Sequence, residues 1–171
     1  MYLLFVTICT GLAYIGLFFL FPLFFKNTVP KLTSRMVYPI AVAMFVSIAA
    51  LLLSLAIPDI ALSNRFLHAF GGGFVPFLIC FLAARDSKVK INKFQFLVFS
   101  FLIVTAFGVA NEILEFFLQH YTYLIFAYTI DDTWLDLISN TVGAGFGAIC
   151  FTIFFTAGRL SDTRNNATIE A

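Results

Sequence analysis

The sequence predicts an all-α membrane protein, a polytopic bundle of about five transmembrane helices. Hydrophobic residues make up 61% of the chain and charged residues only 11%, whereas about a quarter of a soluble domain is charged. Apolar runs of about 20 residues, the length that crosses a bilayer as a helix, recur along the chain. Basic residues are few and lie in short loops, which excludes a nucleic-acid-binding surface.

The apolar runs define the predicted spans and a single transmembrane domain over 1–158. The spans cover about 2–25, 37–57, 66–84, 94–118 and 134–156. The apolar stretch 121–130 is too short to cross as a helix and is predicted to be interfacial or re-entrant. The last residues, 159–171, form a polar cytoplasmic tail that we expect to be disordered.

The basic residues predict the orientation of the spans. Nine of the ten Lys and Arg residues fall in the first loop, the third loop and the tail, and only Arg65 falls elsewhere. Because loops rich in Lys and Arg stay in the cytoplasm, the N-terminus is predicted outside and the C-terminus inside. The protein is therefore expected to be a multi-pass protein of the inner or plasma membrane.

Two carboxylates stand three residues apart inside the fourth apolar run. Residues at i and i+3 share a helix face, so Glu112 and Glu115 are predicted to project from the same side. A carboxylate that faces lipid is strongly unfavourable, so this side should face other helices or trapped water. Gly108 and Gln119 continue the face, and Asn111 precedes the first carboxylate.

The third and fifth spans carry matching polar stripes. On the third, Arg65, His68 and Gly72 recur at spacings that keep them on one face. The fifth carries Asp132, Asp136, Asn140, Gly143 and Gly147 in the same way. The glycines would let helix backbones approach closely. At about 1.5 Å per residue, the ionisable groups of the three helices fall within roughly 10 Å of one plane, which predicts a polar pocket that opens outward.

The polar pocket suggests acid–base or metal chemistry. Close carboxylates can share a proton, and a His exchanges one near neutral pH. The catalytic candidates are Glu112, Glu115, His68 and Asp136. The candidate ligands of a divalent cation are these four and Asp132, because carboxylates suit Mg²⁺, Ca²⁺ or Mn²⁺ and His allows Zn²⁺. The pocket walls would include Asn111, Gln119, Asn140, Gly72, Gly143 and Gly147.

Two alternatives stay open for these residues. The polar groups could form a closed hydrogen-bond network that only holds three helices in register. Asp131 and Asp132 could be an N-cap pair at the start of the fifth span, where Asp is favoured, instead of metal ligands.

The chain between about 66 and 155 resembles the VanZ-like membrane proteins and the similar YjdF-like inner-membrane proteins. The resemblance is carried by His68 before a glycine triplet, the Asn-Glu-Ile-Leu-Glu stretch from Asn111, and Asp-x-x-x-Asn-x-x-Gly-Ala from Asp136. It matches the family His to His68 and the family Glu to Glu112 or Glu115. The resemblance implies a bacterial-type cell membrane and a link to the envelope or to glycopeptide tolerance, with no known reaction.

Three functions follow as hypotheses. In the first, the protein binds or processes an anionic lipid headgroup, or a cation, at the outer leaflet. The alternatives are a small proton-coupled transporter and an accessory or structural membrane protein without catalysis. Transporter sites lie near the bilayer midplane, so polar residues near one surface favour the first hypothesis. Membrane lipid is the predicted partner, and the sequence leaves open whether the protein is an enzyme and whether it forms homo-oligomers.

Overall fold

The structure is a computed structural model that describes residues 2–25, 36–122 and 129–169, with side chains described from residue 3 to residue 153 of these. These residues form helices joined by short turns, and none of them forms a strand. The elements are α1 (Tyr2–Phe24), α2 (Val37–Leu55), α3 (Ile60–Leu67), a π-helical segment (His68–Phe74, the π segment), α4 (Val75–Asp86), α5 (Lys93–Thr122) and α6 (Ile130–Ile169).

Five helices among the described residues are long and apolar enough to cross a membrane. The third of them joins α3, the π segment and α4 without a break, over Ile60–Asp86. The others are Leu3–Phe24, Val37–Leu55, Lys93–Thr122 and Ile130–Ile153. The predicted all-α membrane bundle is thereby confirmed.

The third span begins earlier than the sequence predicts. The helix starts at Ile60, six residues before the predicted start, and the Asp59 side chain caps it by accepting a hydrogen bond from the Leu62 amide at 2.7 Å. Arg65 therefore lies inside a helix and not in a loop. An apolar run alone cannot show this, because the charge of Arg65 is matched by carboxylates from a distant part of the chain.

The last helix is longer than predicted. α6 is assigned to Ile169, beyond the predicted end of the fifth span at 156, and the disorder expected for the tail stays a prediction. The segment after Gly158 contains neither Pro nor Gly up to Ile169, so no helix-breaking residue ends the backbone hydrogen bonding. The predicted interfacial or re-entrant stretch 121–130 lies largely outside the described residues, since 123–128 are not among them.

Aromatic packing closes one end of the bundle, which we call the basic end because Arg85 and Lys93 lie there. The ring of Phe99 on α5 contacts Phe21, Phe24 and Phe25 at centroid distances of 5.1, 4.9 and 5.1 Å. Such pairs add about 0.5–1.5 kcal/mol each beyond the burial of their area. These contacts hold the C-terminal part of α1 against the N-terminal part of α5.

Small residues join the third and fifth spans at their centre. A side chain added at Gly143 would overlap the Ala69 carbonyl of the π segment, and one added at Gly73 would lie 2.7 Å from the Ala144 amide. Further along α6, a methyl group at Gly147 would come within 2.8 Å of the Phe77 Cβ atom. The backbones of the two spans therefore touch, as small-residue faces allow.

The orientation of the bundle stays a prediction that labelling can test. Ile60 is 84% exposed and lies at the end opposite the basic end, and Lys90 is exposed in the turn between α4 and α5. We expect a membrane-impermeant thiol reagent added from outside to label Ile60→Cys more strongly than the parent protein. Lys90→Cys should be labelled no more than the parent protein. Labelling of Lys90→Cys alone would reverse the orientation.

Candidate functional site

An ion-pair network forms where α3 and α6 begin, which we call the acidic end of the bundle. Asp136 is only 2% exposed. Its carboxylate accepts hydrogen bonds from the Arg65 guanidinium and, at 3.0 Å, from the Asn64 side-chain amide. The other guanidinium nitrogen of Arg65 lies 2.9 Å from Asp132 Oδ1. Arg65 therefore joins two carboxylates that stand one helical turn apart on α6.

Asp132 has a second role, at the start of α6. Its Oδ2 atom accepts a hydrogen bond from the Thr129 amide at 3.1 Å, and its own amide donates to the Thr129 hydroxyl at 3.2 Å. This reciprocal pair is the arrangement of a capping box. Of the two alternatives left open for Asp132, the structure shows the helix-capping role, while its other carboxylate oxygen binds Arg65; a role of Asp132 as a metal ligand stays a prediction.

His68 lies between carboxylates from two other helices. Its Nε2 atom is 3.5 Å from Asp136 Oδ2, and its Nδ1 atom is 3.8 Å from Glu112 Oε1. His68 is the first residue of the π segment. Such wide turns often occur at functional sites, and here the π segment carries the imidazole between α5 and α6.

Glu112 and Glu115 differ in their surroundings although they share a helix face. Glu112 is 8% exposed, and its Oε1 atom has no hydrogen-bond donor among the described residues. Glu115 is half-buried and accepts a hydrogen bond from the Asn111 side chain at 2.7 Å. Together with His68, the two glutamates offer three ligand atoms that all lie within 4.8 Å of one another.

Asn140 fills the space between the three helices. Methyl groups added at Gly72 and Gly108 would come within 3.0 Å of its Cγ atom and 3.2 Å of its Nδ2 atom, respectively. The residue is 4% exposed, and its Oδ1 atom has no hydrogen-bond partner within the described part of the chain. The oxygen lies against Gly72, where any side chain would overlap it, so Gly72 is what allows Asn140 to fit here.

A cavity of about 320 Å³ adjoins these polar groups. It falls within the range of about 300–1,000 Å³ that is usual for small-molecule sites. His68, Asn111, Glu115 and Asn140 line its polar side. The remaining wall is mostly apolar and comes from α1, α2, α4 and α5.

The structure brings most of the predicted site residues together. His68, Glu112, Glu115 and Asp136 form one cluster, and Asp132 joins it through Arg65. Asn111, Asn140 and Gly72 line the cavity, whereas Gly143 and Gly147 pack against the third span. Gln119 lies one turn beyond Glu115 and does not line the cavity.

Sequence reasoning placed Arg65 on the polar stripe with His68 but gave it no role in the site, and it missed Asn64. Arg65 stands three residues before His68, at a spacing that places both on one helix face. The spacing could not predict the carboxylate partners of Arg65 on α6, because these are 67 and 71 residues further along the chain. Asn64 carries no comparable signal in the sequence.

The fold defines a helical membrane protein in which a cluster of ionisable side chains adjoins a cavity. Residues 4–157 match the family model described as "Predicted membrane protein (DUF2238)", and the chain belongs to that family. No curated protein and no solved structure matches the chain. The family match supports a membrane protein, and the finer resemblance to VanZ-like and YjdF-like proteins stays a prediction.

Proposed function

We propose that this protein holds a divalent cation at His68, Glu112 and Glu115 and uses it to bind the anionic headgroup of an envelope lipid. The observation that carries the proposal is the buried Glu112 Oε1 atom, which lacks a donor among the described residues and has two other ligand atoms nearby. Two ligands on opposite sides of a metal ion lie about 4–5 Å apart. The 4.8 Å limit on the three ligand atoms fits that separation.

The charge balance of the cluster supports a cation. Among the described residues, the cluster contains the carboxylates of Glu112, Glu115, Asp132 and Asp136 and one guanidinium, that of Arg65. Four negative charges and one positive charge leave −3 with His68 neutral, or −2 with His68 protonated. A divalent cation would remove most of this excess, and buried charges need such compensation.

The position of the ligands supports binding of an anion to the cation. Three protein ligands leave coordination positions open on a divalent ion, as in catalytic metal sites. Glu115 and His68 line the cavity, so these open positions would face it. A phosphate oxygen of a lipid headgroup is a hard anionic donor of the kind that such an ion accepts.

The distribution of charge disfavours the transporter alternative. Proton-coupled transport needs ionisable groups along a path across the membrane. In the described spans, the stretches 2–24, 37–55, 69–84, 94–111 and 137–153 contain no Asp, Glu, His, Lys or Arg. The cluster therefore ends in apolar helix and does not continue toward the basic end.

Calorimetric titration of the purified protein with Mn²⁺ and with Zn²⁺, after removal of metal by a chelator, tests the proposal. We expect about one bound ion per chain. Loss of an outer-shell partner alone weakens metal affinity about 10–100-fold. Loss of a ligand in Glu112→Gln or Glu115→Gln should therefore weaken it at least about a hundredfold.

Asp131→Asn is the matched control, because Asp131 is an exposed carboxylate at the same end of the bundle. Its affinity for both ions should equal that of the parent protein. Equal affinity in Glu112→Gln and the parent would overturn the proposed cation site. Tolerance to envelope-active antibiotics, measured beside membrane abundance, then shows whether the ligand variants lose function while they still insert.

A further inference from the structure

Helices α1 and α5 contact each other at the basic end, and both line the cavity nearer the acidic end. The ring of Phe99 packs on Phe21 and Phe25 at the basic end. Nearer the acidic end, Phe5 and Cys9 of α1 and Phe107 of α5 belong to the cavity wall. The two helices therefore meet through aromatic rings at the basic end and border the cavity, which we call the cleft, nearer the acidic end.

The wall of this cleft changes from apolar to polar along its length. Ala13, Val75, Ile79 and Phe107 make the part nearer the middle of the bundle mostly apolar. The other part carries His68, Asn111, Glu115 and Asn140. A soluble anion would contact only the polar part, whereas an amphiphile would contact both.

The composition of the cavity wall suits a hydrocarbon chain. Most of its lining residues are apolar, and the phase that surrounds α1 and α5 in a membrane consists of such chains.

We propose that the ligand is an anionic lipid whose hydrocarbon chain lies in the cleft between α1 and α5, with its phosphate at the His68 and Glu115 end. The position of the phosphate rests on the proposed function, whereas the position of the chain rests on the cleft alone. The lipid would enter sideways from the bilayer without crossing the bundle. The cleft thus assigns a ligand class, a phosphate-bearing lipid, to the polar pocket.

Cys9 reports on the occupancy of the cleft. It is an exposed free thiol that lines the cavity, and Cys80 is fully buried. The test measures maleimide modification of Cys9 in detergent, in Cys150→Ala protein loaded with Mn²⁺. Dioctanoyl phosphatidic acid, glycerol phosphate and dioctanoylglycerol are added separately. Phosphatidic acid at about ten times its Kd should slow modification about tenfold, because only the unoccupied fraction reacts.

The two other compounds separate the headgroup from the chain. Glycerol phosphate should leave the Cys9 rate unchanged, and dioctanoylglycerol should slow it less than phosphatidic acid does. Protection by glycerol phosphate equal to that by phosphatidic acid would overturn the proposed chain site, as would no protection by any lipid. Protection by dioctanoylglycerol equal to that by phosphatidic acid would overturn the placement of the phosphate.

A cavity-filling substitution gives a second, independent measurement. Ala13 lines the cavity, whereas its neighbour Leu12 is 63% exposed on the outside of α1. Native mass spectrometry should show that Ala13→Trp loses bound phosphatidic acid and that Leu12→Trp keeps it. Both variants should keep their affinity for Mn²⁺, so loss of the lipid with the ion retained separates this inference from the cation site. Full lipid binding by Ala13→Trp would contradict the inference.

Discussion

Gly143→Ala is expected to destabilise the protein by about 3 kcal/mol, the upper end of the usual cost of overpacking. A methyl group at this position would overlap the Ala69 carbonyl of the π segment. Backbone cannot rotate away as a flexible side chain can, so the third and fifth spans must separate. Because Ala69 follows His68 directly, the same shift should weaken cation binding. The measurement is thermal unfolding in detergent, with Mn²⁺ titration of the folded fraction.

Gly145→Ala is the matched control for this substitution. It lies two residues away on the same helix, and a methyl group there would meet nothing within 4 Å. Replacing Gly by Ala in a helix stabilises it by roughly 0.5–1 kcal/mol. Gly145→Ala should therefore be neutral or more stable than the parent protein. Similar melting temperatures for the two variants would show that α6 does not touch the π segment as described.

Arg65→Gln should also be strongly destabilising, because it removes the guanidinium that pairs with Asp132 and Asp136. Asp136 has a side chain only 3% exposed, so its charge would be left buried. Removing one partner of a buried ion pair costs about 3–5 kcal/mol. Thermal unfolding of the detergent-solubilised protein measures the loss.

A second substitution, at the carboxylate of Asp136, tests the cause of that loss. Arg65→Gln combined with Asp136→Asn should be more stable than Arg65→Gln alone, since no unpaired charge is left at Asp136. Arg85→Gln serves as the control, because the Arg85 side chain is 53% exposed and pairs with its neighbour Asp86. Exposed pairs contribute about 0–1 kcal/mol. A loss in Arg65→Gln no greater than that in Arg85→Gln would refute the buried network.

The sequence was sufficient for the class of fold, because the length of an apolar run is a direct requirement of the bilayer. It was less informative about where a helix starts. The predicted third span began after Arg65, since a charge normally marks the end of an apolar run. The structure starts that helix at Ile60, and carboxylates of α6 balance the charge.

The site could be predicted in part for a similar reason. Helical spacing showed that Glu112 and Glu115 share a face, and it predicted that glycine faces would pack. It could not show which glutamate is buried, because burial depends on the neighbouring helix: Glu112 points to His68, whereas Glu115 binds Asn111. The π segment also escaped prediction, because its wide turn has no spacing signal in an apolar run rich in glycine.

The long chain separation within the ion-pair network has a consequence for how the protein is made. Arg65 precedes Asp136 by 71 residues, and ribosomes add about 5–20 residues per second, so roughly 4–14 s pass before its partner is synthesised. An unpaired Arg is costly in lipid but not at the water surface. We expect the first turns of α3 to wait at that surface until α6 emerges, so that docking of the last helix completes insertion of the third.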